Sequence, residues 1–138
     1  MKPTYVLDAC AMLAVVFDEV GSDVVVGIYE KAASGEVLLV MNKLNLLEVY
    51  YDLLRSQGPE NADRFFEQVN NSPIEIRHEM SDRVFREAGR LKASYRISLA
   101  DSIALAEALA SDANLLTADH HEFGVIEKQE NIIVHWIR

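Results

Sequence analysis

The chain has 138 residues, half of them hydrophobic, a formal net charge of −9 and a single cysteine, Cys10. That length suits one domain over residues 1–138, able to bury roughly 68–70% of its unfolded surface without staples. One cysteine excludes an internal disulfide, and the acidic balance argues against a passive nucleic-acid binder, which neutralises phosphates with Lys and Arg.

From the N-terminus, Thr4–Asp8 reads as a buried strand followed at once by an apolar helix, Ala9–Phe17. That apolar run is too short to cross a bilayer, and no signal-peptide pattern precedes it. The expectation is a cytoplasmic protein with no membrane contact. Cys10 then reads as a small buried hydrophobe in a reducing compartment. Ser22–Ser34 is a helix stopped by Gly35, and the continuous apolar run Val37–Met41 is a fully buried strand. Lys43–Gln57 is a helix ending at Gly58-Pro59, Asn61–Asn70 another, and Ile74–Arg77 a short strand. Ser81 caps a helix from Asp82 to about Ser94, and Ser98 caps the next, Leu99 to about Asp112. Asn114–Thr117 is a strand, His120–Phe123 a turn or helical piece, and Ile132–Trp136 the last strand. Apolar strands separated by helices predict a three-layer α/β/α fold with a central, mostly parallel sheet. In such sheets ligands bind beyond the carboxyl ends of the strands.

That rule draws attention to particular acids. Asp8 directly follows Tyr5-Val6-Leu7, and Asp119 stands two residues after Leu115-Leu116-Thr117. Either alone could be a loop Asp or a helix cap. Glu48 lies in Leu44-Asn45-Leu46-Leu47-Glu48-Val49-Tyr50-Tyr51, a helix apolar almost all round and therefore expected to be buried on most sides. An ionised Glu there is costly unless paired or bound to a cation, although a narrow exposed stripe with Asp52 or an Arg partner would also serve. Asp101 completes Ser98-Leu99-Ala100-Asp101, a capping-box spacing that also gains from the helix dipole. Brought together, the four carboxylates would repel one another, and a divalent cation removes the conflict. All-oxygen ligands suit Mg²⁺ or Mn²⁺. His120-His121 lacks the spacing of a zinc pair and reads as loop or surface.

The basic residues concentrate between Arg77 and Arg96, where six of the 13 Lys and Arg fall against three acids. Arg83, Arg86 and Arg90 share a helical face and are candidates for RNA contact. Glu79 with Arg83 and Asp82 with Arg86 have the spacing of solvated surface pairs, which is the competing explanation.

The ordered set Val6-Leu7-Asp8-Ala9-Cys10, Asn45-Leu46-Leu47-Glu48-Val49, Ser98 to Ala106 and Leu115-Leu116-Thr117-Ala118-Asp119 with Phe123 resembles the PIN-domain family. The closest likeness is to the VapC-type toxins of toxin–antitoxin pairs. The resemblance implies a parallel sheet and a Mg²⁺- or Mn²⁺-dependent endoribonuclease. It carries the acidic positions over to Asp8, Glu48, Asp101 and Asp119, and a hydroxyl position to Thr117. It also implies a cognate antitoxin and, with the surplus apolar positions of Lys43–Gln57, a homodimer. Relatives often have Thr or Ser after the first Asp, where this chain has Ala9 and Cys10. Asn45 stands where a small hydroxyl residue is frequent.

On this reading one metal sits between Asp8, Glu48 and Asp101, a second leans on Asp119, and Thr117 orients Asp119 or a water. An antitoxin would place an Arg or Lys among the four acids. The alternatives are a PIN fold that binds without cutting, and a metal-dependent phosphatase. A haloacid-dehalogenase-type enzyme wants a second Asp where Cys10 stands. A receiver-like module wants an Asp at the end of a middle strand, where this chain has Met41-Asn42.

Overall fold

In chain order the elements are β1 (Thr4–Leu7), α1 (Ala9–Val16), α2 (Ser22–Ala33), β2 (Leu38–Asn42), α3 (Lys43–Gln57), α4 (Pro59–Asn70) and β3 (Glu75–Arg77). There follow α5 (Asp82–Ser94), α6 (Leu99–Ala110), β4 (Asn114–Thr117), α7 (His120–Phe123), α8 (Ile126–Gln129) and β5 (Ile133–Trp136). They belong to a computed structural model that describes residues 2–138.

The strands form one sheet in the order β3-β2-β1-β4-β5, with every neighbouring pair parallel. The expected α/β/α architecture is therefore present, with its sheet parallel throughout. Successive residues of a strand face opposite layers. Leu7, Leu39, Met41 and Leu116 join a core with α1, α2, α3 and α4. Val6 and Leu115 join a second core with α5, α6 and the side chains of Phe123 and Ile126. Burial on both faces is why these strands read as continuous apolar runs and not as alternating ones.

Polar caps sit at the strand-to-helix turns. Asp8 accepts the N–H of Ala11 at 2.8 Å, Asn42 that of Leu44 at 2.9 Å, and Asp119 that of Glu122 at 3.1 Å. Each cap is worth about 1 kcal/mol. Asn42 also donates through Nδ2 to Glu107 Oε1 at 2.9 Å, a buried contact that ties β2 to α6.

Three expectations change. α4 begins at Pro59, not Asn61, because Gly58, at φ 88°, ends α3 and starts α4 with proline in its first turn. Proline's missing N–H costs nothing there. The single turn α8 is too short to have left a periodic signal. The helix Lys43–Gln57 is not covered on most sides. It packs on α1, α4, α6 and β2, yet Leu47, Tyr51 and Leu54 are 50%, 43% and 36% exposed. These positions form one stripe at helical spacing.

Candidate active site

Parallel pairing of β1 with β4 sets Leu7 beside Leu116, so the residues that follow, Asp8 and Thr117, stand side by side at the carboxyl ends of their strands. Asp8 is 1% exposed and Thr117 fully buried. Capping Ala11 fixes Asp8 Oδ1, while Asp8 Oδ2 is buried with no hydrogen-bond partner. Thr117 Oγ1 accepts the N–H of Asp119 at 3.0 Å, a tight turn that brings Asp119 back towards Asp8.

Asp101 arrives from α6. The Ser98 hydroxyl accepts its N–H at 3.1 Å, so the half of the capping box that the sequence suggested is formed and the first turn is held. Carboxylate oxygens of Asp101, Asp119 and Glu122 lie within 4.8 Å of one another. Glu122 was not singled out from the sequence. Its signal was there in Asp119-His120-His121-Glu122, a second capping-box spacing. Glu48 approaches from α3, half-buried.

The charges are mutually felt. Burial pushes the Asp8 carboxyl up to about 7, against the Thr117 hydroxyl and Ala11 N–H that favour its ionised form, with Asp101 and Asp119 adding repulsion. Burial lifts Asp101 to about 6, opposed by Ser98 and reinforced by Asp119, Glu122 and Glu48. Glu48 is raised by burial and partly relieved by a hydrogen bond from the Asn45 side chain. Among the described residues, no Lys, Arg or His forms an ion pair with any of these five acids.

A hard divalent cation fits this donor set. The near ligands are all oxygen, Asp8 Oδ2 has no hydrogen-bond partner, and among the described residues no ion pair reaches these acids. Cys10 stands beside Asp8 but is no nucleophile. Burial first, then Asp8, pushes its thiol up to about 11.

The arginine row does not join the acids as a unit. Arg90 is held by Glu130 at 2.7 Å and Glu87 at 2.9 Å. Arg83 lines a separate cleft of about 560 Å³ with Arg77, His78 and Glu107. Arg86 is exposed and, among the described residues, enters no ion pair, so the expected surface pair with Asp82 does not form. Another cavity, of about 540 Å³, lies between α1, α2 and α4 and is lined by Met12, Val16, Val26 and Phe65, with no carboxylate.

A family model described as PIN domain matches residues 5–128. No curated protein matches the sequence. Among solved structures, the chain is similar to DNA-bound VapBC from Salmonella typhimurium, at 14% identity, with all of both chains covered and a TM-score of 0.75. It is similar to VapBC2 from Rickettsia felis bound to a promoter DNA fragment, at 17% identity over 96% of this chain and 98% of that one, TM-score 0.74. It is also similar to VapC20 of Mycobacterium tuberculosis, a sarcin–ricin loop cleaving toxin, at 16% identity over 80% and 86% of the two chains, TM-score 0.59. At such identities the likeness is one of fold.

Proposed function

Because the chain belongs to the PIN-domain family, we propose that it is a Mg²⁺- or Mn²⁺-dependent endoribonuclease, the toxin of a type II toxin–antitoxin pair. The observation that carries this reading is Asp8. A buried carboxylate with one free oxygen stands beside Asp101 and Asp119, which Glu122 and Glu48 adjoin in turn, and among the described residues none of these acids is in an ion pair. RNA is the substrate class that fits both the family and the sarcin–ricin loop cleaving neighbour.

Asp8, Asp101 and Asp119, with Glu48 and Glu122 around them, hold the cation. Bound there, a divalent ion supplies an activated water and charge neutralisation at the phosphate. The chain's own groups do the positioning. Ala11 N–H aims Asp8, Ser98 holds Asp101, and the Thr117 hydroxyl closes the turn that carries Asp119. In the hydrolysis a water oxygen would bond to phosphorus while the bond from phosphorus to the leaving ribose oxygen of one RNA strand breaks, the proton given up by water ending on that oxygen, and no protein nucleophile is needed. Arg83 and Arg86 remain available for phosphate, whereas Arg90 would have to leave Glu130.

Two partners belong to the reading. The antitoxin inserts an Arg or Lys among the acids, with Arg favoured for its bidentate match to carboxylates. A second copy of the chain covers the Leu47, Tyr51 and Leu54 stripe, giving a two-fold dimer. Expression tests the whole. Wild type alone should arrest growth of a bacterial host, and Asp8→Ala or Asp119→Ala should abolish the arrest. Harmless accumulation of soluble wild type would favour a PIN fold that binds without cutting.

A further inference from the structure

Two buried side-chain atoms among the described residues have no hydrogen-bond partner, and both border the acid cluster. One is Asp8 Oδ2, already discussed. The other is Asn45 Oδ1. Asn45 is fully buried on α3, one turn before Glu48. Its Nδ2 donates to the carbonyl of Ala100 at 3.0 Å, in the first turn of α6 and next to Asp101. That contact fixes which way the amide lies, since only the nitrogen can donate to a carbonyl. Asn45 precedes Glu48 by one turn on the same helix, and its side chain favours the ionised form of that carboxylate. One amide group therefore touches the helix that carries Glu48 and the helix that carries Asp101.

We infer that Asn45 is a positioning residue of the cation site: its amide nitrogen ties α3, the helix that carries Glu48, to the first turn of α6, and its free oxygen accepts a hydrogen bond from water in the site. The inference deepens the nuclease reading and rests on it. An apolar residue would fill this position at less cost, because leaving a buried acceptor unpaired is unfavourable. Asparagine here has a structural result: α3 and α6 are registered to each other through a polar contact, in addition to the buried Asn42–Glu107 contact at the start of α3. Rigid support of this kind is what tunes ligand geometry at metal sites.

The test uses the whole chain and Mg²⁺ or Mn²⁺ alone. Asn45→Leu keeps the side-chain size and removes donor and acceptor. Its metal-free melting temperature should equal or exceed that of wild type, while calorimetry should show Mn²⁺ affinity weakened about 10-fold or more. Asn45→Ser, which keeps polarity but loses reach, should weaken Mn²⁺ similarly and covers the case in which the leucine variant does not fold. In wild type, the Asn45 side-chain ¹⁵N–H₂ resonance should shift on adding Mg²⁺. Mn²⁺ affinity within twofold of wild type in a folded variant, or an unmoved Asn45 resonance at saturating Mg²⁺, overturns the inference while the nuclease reading stands. Failure of wild type itself to bind either ion overturns both.

Discussion

Thr117 Oγ1 accepts the backbone N–H of Asp119 at 3.0 Å, and the same hydroxyl lies against Asp8 and favours its ionised form. One side chain thus touches two acids on two different strand ends. Thr117→Val preserves shape but removes both interactions. The expected result is a stability loss of only about 1 kcal/mol by urea denaturation, with Mn²⁺ affinity or RNA cleavage reduced about 10–100-fold. Equal cleavage by the valine variant would remove Thr117 from the machinery.

The pH dependence of the metal-free protein follows from the raised pKa values. Asp8 sits at about 7 and Asp101 at about 6, against an ordinary value of 3.8. The folded protein therefore holds these protons more tightly than the unfolded chain. The resulting stability is fully present below about pH 4 and is lost as pH rises through 6 and 7. For Asp8 the effect is of order a few kcal/mol. The melting temperature in EDTA should fall between pH 5 and pH 8. Asp8→Asn should melt higher than wild type at pH 8 and show a flatter profile. A wild-type melting temperature that rises over this interval would contradict the assignment of buried, mutually repelling acids.

Much of this arrangement was legible in the sequence, for identifiable reasons. Asp8, Asp101 and Asp119 were visible because a strand end or a capping serine fixes where each must fall. Glu122 lies in α7, a turn of four residues with no periodicity, so only the capping-box spacing from Asp119 marks it. The sequence shows that α3 has surplus apolar positions, but not which of them face solvent, because an apolar stripe looks the same whether it meets the core or solvent. The arginine row was placed on one helix face correctly, yet Glu130, forty residues further on, could not be foreseen as the partner of Arg90.

Gly21 holds the end of the chain close to the site. At φ +98° it lets the carbonyl of Ile137 approach so that an added Cβ would lie 2.6 Å from that oxygen. Ile137 N–H in turn donates to Thr117 O at 3.1 Å. Gly21→Ala should cost about 1–3 kcal/mol through the left-handed backbone alone, more with the clash, and should lower cleavage by disturbing Thr117. An unchanged denaturation midpoint would show that this close approach is dispensable.

The exposed stripe on α3 predicts assembly. Sedimentation at micromolar concentration should return a dimer for wild type, and Leu47→Asp with Tyr51→Asp should return a folded monomer whose melting temperature no longer depends on protein concentration. A monomer-sized species alone for wild type would remove the dimer from the account.

The central claim is that Asp8 and its neighbouring acids hold a divalent ion that cuts RNA. The most direct measurement incubates purified wild type and Asp8→Asn with a structured RNA, in EDTA, in Mg²⁺ and in Mn²⁺. The account predicts internal cleavage by wild type only with metal, and a loss of at least about 100-fold in Asp8→Asn. Cleavage that persists in EDTA, or equal cleavage by the two proteins, would contradict it.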